Sequence, residues 1–155
     1  MGLQERLVDE MKEALRAGHT DKVSVIRLLR AALKNREIER GRAYNLTDTD
    51  VMEVILSGIK QRRDSIEQFQ KGGRTDLVAK EEREMEILRS YLPPPLSESE
   101  LDNVVRAAAA DVGASTIKDM GKLMKAVLSR VVGRAEGGMV NAAVKRCLEG
   151  RSLDP

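Results

Sequence analysis

Residues 115–134 read Ser115-Thr-Ile-Lys-Asp-Met-Gly-Lys-Leu-Met-Lys-Ala-Val-Leu-Ser-Arg-Val-Val-Gly-Arg134, and this run decides the class of fold. Stepped at the helical period, Ile117, Met120, Leu123, Met124, Val127, Leu128 and Val131 fall within one arc of about 140°. Lys118, Lys122 and Lys125 fall together on the opposite side, and Arg130 and Arg134 extend the charge toward the end of the run. Thr116 reads as the cap of a helix running to about Val132. The following Gly133-Arg-Ala-Glu-Gly-Gly138 is a break, and a second helix is expected from roughly Gly138 to Leu148. Glycines there supply the positive φ that a tight connection between antiparallel helices needs.

Upstream, Ser97 and Glu100 form a capping box that opens a helix with Leu101, Val104, Val105 and Ala108 inside, stopped by Gly113. Before it stands Pro93-Pro94-Pro95, which forbids helix continuation and favours an extended strut. Four helices precede the prolines. The first carries Leu3, Leu7, Val8, Met11, Ala14 and Leu15 and ends at Gly18. The second, capped by Thr20 or Asp21, carries Val25, Ile26, Leu28, Leu29, Ala32 and Leu33. The third opens at a Thr47–Asp50 box and runs to Gly72-Gly73, and the fourth is capped by Thr75. No strand alternation competes with these patterns. The expectation is an all-α protein: an N-terminal four-helix domain over residues 1–92, a proline joint, and a C-terminal three-helix bundle over residues 96–155.

Composition narrows the function. Aromatic residues make up 2% of the chain, namely Tyr44, Phe69 and Tyr91. That poverty argues against sandwiches and barrels, and against nucleic-acid modules that stack bases on aromatic rings. The net charge is +2, yet sign is segregated. Seven basic residues stand against Glu37 and Glu39 between Lys22 and Arg42, and five against Asp119 between Lys118 and Arg134. Four glutamates against one arginine in residues 81–86 compensate. Basic patches without a basic protein are the result.

Two of those patches are candidate sites. A lysine row spaced by four and three residues fits a phosphate backbone, and it equally fits a solvated face. On the second helix Arg27, Arg30 and Lys34 share a stripe apart from the apolar face, with no acid four residues after Arg27 or Arg30. Glu82 or Glu86 of the fourth helix are their expected partners if they are not ligand-binding. Arg62 lies on an apolar stripe, where an arginine snorkels or pairs, and a glutamate of the fourth helix is the economical partner.

The catalytic inventory is thin. His19 is the only histidine and Cys147 the only cysteine, far apart in sequence and without a Ser–His, Ser–Lys or Cys–His arrangement. Cys147 shares a face with Val140, Ala143 and Val144 and reads as a core thiol. No cluster has metal-ligand spacing, so no metal and no cofactor are expected. Residues 1–10 carry Glu5, Asp9 and Glu10 in place of an apolar core of a leader, and no apolar run approaches the roughly 18 residues of a membrane span. A cytoplasmic protein that does not enter membranes is the expectation.

Several blocks in order resemble the YqeY family across nearly the whole chain: Ser24-Val-Ile-Arg-Leu-Leu-Arg-Ala-Ala-Leu-Lys-Asn35, Lys60-Gln-Arg-Arg-Asp-Ser-Ile-Glu-Gln-Phe69, Gly73-Arg-Thr-Asp-Leu77, Tyr91-Leu-Pro93 and the 115–145 pattern. Glu136, where the family pattern has aspartate, and the extra prolines at 94 and 95 depart from it. The part after Pro95 also resembles the tail domain of the B subunit of glutamine-dependent tRNA amidotransferase. That second resemblance implies tRNA recognition by an appended helical domain and carries no catalytic residue over. It implies a non-catalytic tRNA-binding or tRNA-metabolism accessory protein, with Lys118, Lys122, Lys125, Arg130, Arg134 and Lys145 on the RNA. The alternatives are a module that docks on a tRNA-modifying enzyme, or an accessory subunit in amide transfer, a carbon–nitrogen ligase reaction with glutamine as amido donor.

Overall fold

The computed structural model describes residues 2–153, with side chains through Gly150. Among them are seven α-helices, one 3-10 turn and no strand, which makes the protein all-α. The contacts divide the chain into two compact units, residues 1–92 and 93–155.

The first unit holds α1 (Leu3–Ala17), α2 (Thr20–Arg40), α3 (Asp48–Lys71) and α4 (Thr75–Arg89). Its core is built from Leu7 of α1, Val25, Ile26, Leu29 and Leu33 of α2, Val51, Val54, Ile55 and Ile59 of α3, and Leu88 and Tyr91. Gly58 has a packing role, since a Cβ there would sit 3.2 Å from a methyl group of Leu88. The box at the start of α3 forms in both directions: Thr47 Oγ1 accepts from the Asp50 amide, and Asp50 accepts from the Thr47 amide at 2.8 Å. Asp50 also accepts from the Tyr44 hydroxyl at 2.8 Å, and Arg40 lies over the Tyr44 ring. Three donors hold a carboxylate whose residue is only 6% exposed. The Thr47 amide first, then the two hydroxyls, keep its pKa below the usual range.

Some expectations for this unit change. The second and fourth helices begin at Thr20 and Thr75 themselves, with His19 and Arg74 at the cap positions and no side-chain cap bond. Leu28 is 61% exposed and Ala32 is exposed, so the buried face of α2 is narrower than its apolar stripe. Arg62 meets α4 glutamates: its guanidinium stands 3.3 Å from Glu84 and 4.0 Å from Glu81. Tyr91 is buried beneath the Arg6 guanidinium, and its hydroxyl makes no hydrogen bond of ordinary geometry.

The second unit holds α5 (Glu98–Val112), a 3-10 turn (Ile117–Asp119), α6 (Met120–Arg130) and α7 (Gly137–Leu153). The Ser97–Glu100 box opens α5, and Gly113, in the left-handed region at φ 68°, closes it. Leu101, Val105 and Ala108 of α5, Leu123 and Val127 of α6, Val131, and Val140, Val144 and Leu148 of α7 form the core. Cys147 is half-buried and packs against that core. The single helix expected from Thr116 to Val132 is instead a 3-10 turn followed by eleven α-helical residues. Asp119 explains the tighter start: its carboxylate accepts from the amides of Ser115 and Thr116, pulling the chain into a short turn before the α-helix begins. Ile117 consequently leaves the buried arc and is 48% exposed, and Leu128 is 39% exposed.

Candidate RNA-binding face

The second unit sorts its cations by type. Arg130 reaches across to Asp111 at the end of α5, 2.5 Å away. Arg134 is half-buried; its Nε donates to the carbonyl of Pro94, and its own carbonyl accepts from the Leu96 amide at 2.8 Å. Arg146 of α7 pairs with Asp102 at 2.9 Å and Glu98 at 3.5 Å on α5, and Arg106 donates to Asn103 one turn earlier. All four described arginines of the unit therefore have a partner. Lys118, Lys122, Lys125 and Lys145 are exposed, and none makes an ion pair among the described residues.

The expected six-residue face thus resolves into two roles. Lys118 stands on the 3-10 turn, Lys122 and Lys125 on the outward side of α6, and Lys145 on α7, which packs against both α6 and the turn. Arg130 and Arg134 are engaged in holding the unit together. Lys122 also lies close enough to help depress the Asp119 carboxyl, an effect led by the Ser115 and Thr116 amides. Arg146 escaped the sequence reading, and its signal, acids at 98 and 102 one turn apart on another helix, becomes visible only once α5 and α7 are neighbours.

The other basic stripe lies on α2 in the first unit. Arg27 makes no ion pair among the described residues, Arg30 donates to the Met11 sulfur at 3.8 Å, and Lys34 stands 3.5 Å from Glu37. The expected pairing with Glu82 or Glu86 does not form; Glu86 pairs with Arg89 instead. Arg30 and Lys34 edge a cleft of about 460 Å³ between α1 and α2, floored by Leu7 and Leu33. A second groove of about 370 Å³ runs between α2 and α3, with Leu28, Ala32, Val54 and Gly58 in its walls and Arg36, Glu39 and Gln61 among its polar groups. No group of three or more metal-ligating side chains occurs among the described residues.

These features define an all-α protein of two helical units whose second unit displays a lysine surface. The chain belongs to the YqeY family: the family described as Yqey-like protein matches residues 4–148. It is similar to proteins named "Altered inheritance of mitochondria protein 41, mitochondrial" in several fungi. With that of Lachancea thermotolerans it shares 32% identity over 152 residues, 94% of this chain and 81% of the relative. With that of Pyrenophora tritici-repentis it shares 30% over 132 residues, 84% of this chain and 71% of the relative. For Saccharomyces cerevisiae the figures are 36% over 97 residues, 62% of this chain and 51% of the relative.

These relatives overturn the expectation of a cytoplasmic protein, because they are named as mitochondrial. That expectation rested on the charges at Glu5, Asp9 and Glu10 and on the want of a long apolar run, and neither property bears on residence in a mitochondrion. No helix among the described residues is long and apolar enough to cross a membrane.

Proposed function

We propose that the protein is a tRNA-binding accessory protein without chemistry of its own, and that Lys118, Lys122, Lys125 and Lys145 carry the contact. One observation supports this reading above the others: every described arginine of the second unit is engaged, while all four of its described lysines are left to solvent. Cations committed to an internal partner gain little from a phosphate, whereas unpaired exposed ones release counterions when they meet one. With no aromatic residue in the second unit, recognition rests on backbone charge and shape more than on base edges. The test is fluorescence anisotropy of a labelled tRNA mixture at two salt concentrations, with wild type and the Lys122→Glu/Lys125→Glu variant. Saturable, salt-sensitive binding lost in the variant supports the reading, and wild-type protein that fails to bind at low salt sinks it.

A second reading has its own support. The α2–α3 groove, with exposed Leu28 in its wall, suits a partner protein of tRNA metabolism laid against the first unit. Lys122→Glu/Lys125→Glu should leave such an interaction untouched, whereas Leu28→Glu should abolish it.

A further inference from the structure

Gly121 has no reason to be glycine that lies inside the molecule. It is the second residue of α6, directly after the 3-10 turn, and it is not among the glycines with positive φ. A Cβ added there would meet no atom within 4 Å, whereas one at Gly58 would press on Leu88. Glycine weakens a helix interior, so an unforced one is a cost without an internal return. Gly137, Gly138 and Gly150 of α7 also have open surroundings, but none of them has a lysine within four residues.

The place of Gly121 supplies the missing reason. Lys118 precedes it by three residues and Lys125 follows by four, so both lie on its face of the helix, with Lys122 beside it. Removing the side chain there leaves a shallow floor of bare backbone between long, unpaired lysines. We infer that Gly121 is the seat of a phosphodiester group: the sugar-phosphate strand touches the helix backbone at Gly121, and Lys118 and Lys125 close on it from either side. This rests on the RNA reading above and sharpens it. The strand presents its backbone to the protein and turns its bases away, so the site takes RNA without regard to sequence.

The experiment compares wild type, Gly121→Ala, Gly121→Leu and a control, Ala107→Leu, which places the same final side chain at an exposed position of α5. Thermal unfolding followed by circular dichroism checks that each folds. Gly121→Ala is expected to raise the melting temperature, as alanine does at an open helical site. Gly121→Leu is expected to bind labelled tRNA at least tenfold more weakly at fixed salt with every lysine still present, and Ala107→Leu to bind as wild type does. Equal affinity for Gly121→Leu and wild type, alongside lost binding in Lys122→Glu/Lys125→Glu, overturns the seat and leaves the RNA reading standing. Equal weakening by Ala107→Leu also overturns it. Wild-type protein that fails to bind overturns both together.

Discussion

Reversing two charges on α6 gives the most quantitative test of the lysine surface. Four unpaired lysines supply up to four phosphate contacts, because Arg130, Arg134 and Arg146 are engaged elsewhere. For four contacts, log K should fall with log salt at a slope between about −2.8 and −3.6, the limits for single strands and for duplex. Between 50 and 200 mM salt, affinity for tRNA should therefore drop by roughly 50- to 150-fold. Lys122→Glu/Lys125→Glu leaves at most Lys118 and Lys145, so the slope should shrink to about −1.4 to −1.8, before any repulsion from the new carboxylates. Arg130→Ala makes the informative contrast. It removes a cation whose charge Asp111 already offsets, so it should change the slope by much less than one contact while loosening the α5–α6 junction. Anisotropy titrations at four salt concentrations read all of this. A wild-type slope of about −4.2 to −5.4, the range for six contacts, or one in which Arg130→Ala costs as much as a lysine, would show that the ion pairs open to bind RNA and that the division between arginines and lysines is wrong.

The remaining predictions concern stability. Asp50→Asn should destabilise the first unit by about 1.5–3 kcal/mol, since it weakens charge-assisted bonds from Thr47 and Tyr44 at a buried carboxylate. Because the folded pKa of Asp50 is lowered, its contribution is complete above the unfolded value of about 3.9 and disappears as pH falls through the lower folded one. The gap between wild type and Asp50→Asn in urea melts should therefore be constant from pH 5 to 7 and narrow as pH falls below about 4; a gap independent of pH counts against the carboxylate's role. Arg62→Ala should cost about 3 kcal/mol, because it strands Glu84, whose side chain is only 13% exposed, and a loss under about 1 kcal/mol would mean that Glu84 finds water. Cleavage within the proline segment is proposed to release two pieces that each unfold cooperatively, and a first piece without a cooperative melt would refute independent folding.

Helices were legible where local chemistry decides them. The boxes at Thr47–Asp50 and Ser97–Glu100 and the left-handed stops at Gly18 and Gly113 each depend on residues within a few positions, and each formed. Thr20 and Thr75 misled because a hydroxyl residue is tolerated as the first helical position as well as the cap, and nothing local separated the two. The break at Ile117 was hidden for a related reason. In the sequence Asp119 counts as one negative charge among lysines, whereas its geometric task is to collect two amides. In the candidate site the lysines were readable and the arginines were not. What neutralises Arg130 lies 19 residues away and what engages Arg134 lies 40 away, so their commitment is a property of the packed unit. The same distance problem applies to the α2 arginines, to which the fold does not deliver Glu82 or Glu86.

The split between engaged arginines and exposed lysines has a consequence for chemistry applied to the surface from outside. A guanidinium keeps its charge under physiological conditions, whereas a lysine amine can be acylated and made neutral. Acylation of Lys118, Lys122, Lys125 and Lys145 would erase the positive face one unit of charge at a time. The pairs that Arg130 and Arg146 make with α5 would be untouched, so the bundle would keep its shape while its attraction for a polyanion was dialled down. In this unit, charge that supports the fold and charge that faces outward are written in two different amino acids, and only one of them can be edited.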